Sequence, residues 1–175
     1  MKTLYLLRHA HAEPRGPGLS DFDRPLNEQG RAEADAIGQY VQEKGLSFDF
    51  VMCSAALRCQ ETFEPLRRLI KTGDVEISVS FYNIPEDDIL DHIRRVSYES
   101  DRVLYIGHNP GLAFAILKFA NKIPDFLNEG IHPATLVGFR FDSDRWADLN
   151  WREGDIIDMY HPQVGSAEPP EPMTP

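Results

Sequence analysis

The sequence predicts an α/β fold, a three-layer sandwich of helices around a mostly parallel central sheet. Three observations predict it. Short apolar runs alternate with amphipathic stretches along most of the 175 residues, and strand–helix alternation builds parallel sheets. The length suits a single domain that can bury a core without staples. The residues richest in chemistry, Arg8, His9, Arg58 and His108, fall after apolar runs, where open α/β sheets bind their ligands.

The elements follow in order. Thr3–Leu7 reads as a buried strand. Residues 8–26 lack periodicity and carry Pro14, Gly16, Pro17, Gly18 and Pro25, so they form a loop. A long loop inside a compact domain is more often functional than idle. Asn27 is set to cap a helix that runs to about Lys44, with Ala36, Ile37, Tyr40 and Val41 on one face and Gly45 as its stop. Phe50–Cys53 is a second buried strand. Ser54 is placed to cap the next helix, which carries Leu57, Leu66, Leu69 and Ile70, and Pro65 should kink or interrupt it.

Further along, Val75–Phe81 alternates as a strand does. Pro85–Tyr98 is helical, with proline at its start and Ile89, Leu90, Ile93 and Val96 inward. Val103–Ile106 is a third core strand, and Asn109-Pro110 caps and opens a helix over Gly111–Ala120. Leu136–Phe141 and Trp146–Trp151 read as two strands joined by the polar turn Asp142-Ser143-Asp144. The proline-rich end reads as a flexible tail, so residues 1–164 form the domain and 165–175 the tail.

Composition narrows the function. A net charge of −10 argues against nucleic acid or an anionic membrane as partner. In so acidic a chain, arginines that gather need a local reason. The first apolar run is too short for a signal-peptide core and no stretch approaches a membrane span, so a cytoplasmic protein is expected. Cys53 and Cys59 are too few for a disulfide framework. A redox role for Cys59, beside Arg58, is one reading; packing is the more usual one.

Arg8 and Arg58 suit the two-pronged clamp that a phosphate dianion needs. A neutral imidazole is a competent nucleophile toward phosphorus once its other nitrogen is held by a hydrogen bond. For His9 a backbone carbonyl in the following loop is expected to hold it. Positioned cations, here the two arginines and a protonated His108, would stabilise the transition state. Such a pocket needs no metal and no cofactor. His9 and His11 with Glu13 also resemble a metal pair after a strand, but that pattern belongs to barrels of typically about 250 residues, and Arg8 would repel a cation.

The motifs carry a resemblance. Leu7-Arg8-His9-Ala10 resembles the signature of the histidine phosphatase superfamily, with Arg-His-Ala where Arg-His-Gly is usual. Ser54–Thr62 is similar to the family's second arginine segment, and Ile106–Gly111 to its second histidine segment. Asp23–Gly30 resembles a segment of the small SixA-like phosphohistidine phosphatases. The resemblance implies a phosphoglycerate-mutase-like sandwich, His9 as the transiently phosphorylated nucleophile, and Arg8, Arg58 and His108 around the phosphate. It implies an open site, suited to a phosphorylated side chain, most simply phosphohistidine, on another protein. A phosphomonoesterase for a small metabolite and a non-catalytic phosphohistidine-binding module are the alternatives.

Two departures from the family stand out. His11 has no assigned role. No residue clearly matches the acid that protonates an alkoxide leaving group: Tyr82-Asn83 lies near its place, with Glu86, Asp87 and Asp88 shortly after. Of the other histidines, His92 reads as surface, while His132 and His161 precede prolines, His132 being the one expected nearer the site. Thr135 would either donate to phosphate or pack.

Overall fold

The computed structural model describes residues 1–123 and 130–163. The tail assigned to residues 165–175 lies outside them.

In chain order the elements are β1 (Lys2–Arg8), α1 (Glu28–Glu43), β2 (Phe48–Ser54), α2 (Leu57–Leu69), β3 (Thr72–Ser78), α3 (Glu86–Arg94), β4 (Arg102–Gly107), α4 (Gly111–Phe119), β5 (Leu136–Phe141) and β6 (Asp155–Tyr160). The sheet order is β3-β2-β4-β1-β5-β6. The β3–β2, β2–β4 and β4–β1 pairs are parallel, and β5 runs against both β1 and β6. Only β5 therefore opposes the common direction, and the sheet is mostly parallel as expected.

The strand period of two builds both cores. Leu4 and Leu6 of β1 face a cluster with Ile89, Ile93, Ile116 and Phe119 of α3 and α4. Tyr5 and Leu7 face the other way, among Ile37, Val41, Phe63 and Leu66 of α1 and α2. Each of the aliphatic side chains named on β1 is fully buried, at 0% exposure. A strand covered on both faces is apolar throughout, which is why Thr3–Leu7 shows no alternation.

Helix ends follow local chemistry. The Asn27 side chain accepts from the Gly30 amide, and Gly45, at φ 63°, ends the helix beyond Lys44. Helix α2 runs unbroken through Pro65, which packs on Gly38 of α1. Ser54 does not cap α2: the N-cap is Ala56, with no side-chain bond. Nor does Asn109 cap α4, whose N-cap is Pro110.

Three other boundaries differ from the expectation. The strand expected at Val75–Phe81 lies at Thr72–Ser78, because the Ser78 hydroxyl accepts from the Ser80 amide and turns the chain into a 3₁₀ segment, Val79–Phe81. Helix α3 stops at Arg94, short of Tyr98. Trp146–Trp151 is not a strand. Trp146–Asp148 is a 3₁₀ turn, and the last strand is Asp155–Tyr160. Trp146 and Leu149 are both fully buried, a spacing of three rather than two, and the Trp146 indole N–H donates to Ser100 O at 2.6 Å.

Candidate active site

Adjacent parallel strands end at one level. Arg8 pairs with Gly107 across β1–β4, and Cys53 with Ile106 across β2–β4. The residues that follow, His9, His108 and Ser54, therefore emerge at the same sheet edge. Arg58 comes over them from the first turn of α2 and is 2% exposed. The His9 and His108 ring centroids are 5.2 Å apart. Arg58 donates from Nε to His9 Nε2 at 3.2 Å and from Nη2 to His108 Nδ1 at 3.1 Å. One guanidinium thus joins both imidazoles.

The partners fix both tautomers. His9 Nδ1 lies 2.8 Å from the Ala10 carbonyl, which only accepts, so Nδ1 carries the proton. Its Nε2 is left with a bare lone pair aimed at Arg58. Burial, then the charges of Arg58, Arg8 and Arg24, push the His9 pKa down to about 3, against the opposing Ala10 bond. His108 accepts at Nδ1 and donates from Nε2 to Ser54 Oγ at 2.7 Å. Burial, then His9 and Arg58, hold its pKa down at about 3 as well. Between two guanidiniums and a second ring, His108 is held neutral in this ligand-free site. The Ser54 hydroxyl serves this ring instead of the helix end.

Arg8 is the fourth member. Its Nη1 donates to Ile131 O at 2.6 Å, and its buried Nε has no protein partner among the described residues. Burial alone lowers its pKa. All four side chains line one cleft of about 510 Å³. The convergence expected for His9, His108, Arg8 and Arg58 is present.

The cleft also holds residues that sequence reasoning passed over. Asp21, in the proline-bounded loop, accepts at Oδ2 from Arg58 Nη2 (3.1 Å) and the Tyr82 hydroxyl (2.6 Å). Its Oδ1 accepts from Arg24 Nη2 (2.9 Å) and Arg15 Nε (3.2 Å), and its main-chain oxygen from Arg58 Nη1 (2.5 Å). Burial opposes ionisation, but the bonds from Tyr82 and Arg24 and the charge of Arg58 hold its carboxyl well below the usual range. Its place between Arg15 and Arg24 in a long loop hints at an ion pair but does not point to Arg58. Arg24 stands inside the Asp23–Gly30 segment and lines the cleft.

His11, unassigned in the sequence, also lines the cleft. Its Nδ1 lies 2.7 Å from Oε1 of Glu33, and its backbone amide donates to Oε2 at 3.0 Å. Glu33, on α1, is 2% exposed. Where an acid was sought, Asn83 faces the cleft and Tyr82 is turned to Asp21. Glu86 pairs with Lys118 at 2.8 Å and lines no part of the cleft.

Other candidates fall away. Cys59 is fully buried and its thiol is pushed up to about 12 by burial, which removes the thiolate a redox role needs. His132 is exposed and its ring lies 5.7 Å from that of His161, while its neighbour Pro133 lines the cleft. Thr135 is buried and meets His161 Nδ1 at 3.3 Å, so it packs. Among the described residues, no three His, Cys, Asp or Glu side chains are grouped to hold a metal ion, and no helix is long and apolar enough to cross a membrane.

Comparisons agree with the geometry. The model of the histidine phosphatase superfamily (branch 1) matches residues 4–80. A chloroplast protein of Arabidopsis thaliana, itself uncharacterised, is 30% identical over 121 residues, covering 63% of this chain and 55% of its own length. A 2,3-bisphosphoglycerate-dependent phosphoglycerate mutase of Bartonella henselae is 36% identical over 78 residues, covering 43% of this chain and 38% of the mutase. The chain thus spans about half or less of these curated relatives. The crystal structure of a candidate phosphohistidine phosphatase, SixA, of Agrobacterium tumefaciens superposes with a TM-score of 0.79 at 28% identity, over 92% of this chain and 98% of that one. The chain is thus similar to the histidine phosphatase superfamily over its first half and has a phosphoglycerate-mutase-like, SixA-like fold.

Proposed function

We propose that this chain is a metal-independent phosphatase that works through a phosphorylated His9, with phosphohistidine on another protein as its substrate. One observation carries the reading: His9 presents an unprotonated Nε2 beside Arg58 in an arginine-lined cleft.

In this reading Arg8, Arg24 and Arg58 hold the dianion. His9 Nε2 attacks phosphorus, and the guanidiniums take up the charge that spreads over the equatorial oxygens. The bond to the leaving group breaks, and water then cleaves the phospho-His9 bond. The neutral state of His9 leaves the nucleophile ready at neutral pH.

The leaving group favours phosphohistidine, because imidazole asks least of an acid. Asp21 is held ionised and Asn83 is an amide, so neither can protonate an alkoxide. A phosphoimidazole can carry a proton on its own ring, whose pKa lies near neutrality. The SixA name of the Agrobacterium relative points the same way.

The test is turnover of a phosphohistidine peptide, a phosphoserine peptide and 4-nitrophenyl phosphate, each with and without EDTA. The reading expects kcat/KM to be highest on the phosphohistidine peptide and unchanged by EDTA. Preference for a small sugar phosphate would make it a metabolite phosphatase. Tight phosphohistidine binding with no phosphate release would make it a binding module.

A further inference from the structure

Phosphoryl transfer to His9 leaves one job without an owner. A leaving imidazole whose ring is unprotonated needs a proton, and a proton must later leave the attacking water. The site residues already described cannot carry it. His9 Nδ1 is held by the Ala10 carbonyl and its Nε2 is the nucleophile. Both nitrogens of His108 are taken, by Arg58 and Ser54. Asp21 is an ionised partner of arginines, and arginine does not give up its proton near neutrality.

His11 meets the requirements. It lines the same cleft and is half-buried. Glu33, a buried carboxylate, takes both its ring Nδ1 (2.7 Å) and its backbone amide (3.0 Å). Gln29 Nε2 donates to the same carboxylate at 2.9 Å, and the His11 carbonyl accepts from the Asn27 amide at 3.0 Å. The segment is pressed so closely on α1 that a Cβ on Gly30 would stand 1.9 Å from the His11 oxygen. Ring and backbone are thus fixed together. Nδ1 faces the carboxylate, and Nε2 has no protein partner among the described residues. A buried carboxylate that orients one imidazole nitrogen while the other meets a cleft is the usual arrangement of a proton-transfer histidine.

We propose that His11, oriented by Glu33, is the general acid and base of this site. The proposal rests on the phospho-His9 reading. In the first step His9 Nε2 forms a bond to phosphorus, the bond from phosphorus to the leaving atom breaks with its electron pair on that atom, and His11 Nε2–H supplies the proton. In the second step water attacks phosphorus, His11 Nε2 takes the water proton, and the electron pair of the N–P bond returns to His9 as phosphate departs. Water is the only co-reactant. The titratable and charged groups around His11 are Glu33 from α1, His161 beyond β6, and Arg15, Arg24 and Asp21 across the cleft.

The test compares leaving groups in His11→Gln. The aryl oxide of 4-nitrophenyl phosphate departs without a proton. A phosphohistidine peptide, assayed at a pH where its own ring is unprotonated, needs one. On the peptide, kcat/KM should fall on the order of 10²-fold. On the aryl ester kcat/KM should fall far less, while kcat drops and a burst of nitrophenol appears, because hydrolysis of phospho-His9 has become limiting. Glu33→Gln should show the same pattern less deeply, and it serves as the second variant should His11→Gln misfold. Equal losses of kcat/KM on both substrates, or none, would overturn the inference. Its failure is distinct from that of the underlying reading, which fails only if the wild-type chain forms no phospho-His9.

Discussion

The Nε–H of Arg58 lies 3.2 Å from Nε2 of His9. That contact sets the ring edge-on to the guanidinium and marks the nitrogen that would attack phosphorus. The same side chain reaches His108 and Asp21, so it organises the cleft as well as charging it.

Replacing Arg58 by Ala should therefore cost at least about 10²-fold in kcat/KM, the scale of losing a transition-state donor. Arg58→Lys should recover little, since the three donors of one ammonium cannot reproduce the four hydrogen bonds that the planar guanidinium spreads over His9, His108 and Asp21. Steady-state kinetics on a phosphohistidine peptide checks both.

In the proposed mechanism Asp21, bound to Arg58, positions that guanidinium and carries no proton. Asp21→Asn should lower kcat/KM by roughly tenfold or more, the scale of one charge-assisted hydrogen bond. It should leave the pH at which activity is lost in acid unmoved. A shift of that limb, followed across a pH series, would instead make Asp21 a titrating catalytic group.

His9 and His108 should make the fold sensitive to acid. Both have folded pKa values near 3, about 3 each, against an ordinary value of 6.5. Between those pH values the unfolded chain binds protons that the folded chain does not, so stability falls as pH drops through that window. The urea midpoint should decline from pH 7 to pH 4.5, and decline less in His108→Asn. The nucleophile itself should stay unprotonated over the same range.

Gly30 sets helix propensity against packing. Alanine is favoured over glycine inside a helix by about 1 kcal/mol. A Cβ at this position would meet the His11 carbonyl oxygen at 1.9 Å, and overpacking costs about 1–3 kcal/mol. The clash should win: Gly30→Ala should lower the thermal midpoint. A raised midpoint would show that the segment can move away from α1.

The sequence made the strand ends legible, and with them His9, Arg58 and His108, because buried parallel strands read as short apolar runs that stop at one sheet edge. Asp21 was not legible. Its partner Arg58 lies far along the chain, and an aperiodic loop gives no spacing from which the contact could be read. The His11–Glu33 pair was hidden for the same reason, since the helix that supplies Glu33 shows its apolar stripe more plainly than its one buried carboxylate. The Trp146–Trp151 segment misled because two tryptophans suggest a strand, whereas the buried pair is Trp146 and Leu149, and β6 is a half-exposed edge strand interrupted by Asp155 and Asp158.

The most direct test is to quench the enzyme in mid-turnover with a ³²P-labelled substrate and map the label. The account predicts an alkali-stable, acid-labile phosphate on His9, absent from His9→Ala, which should still bind inorganic phosphate. Turnover that persists in His9→Ala, or label found on any other residue, would contradict it.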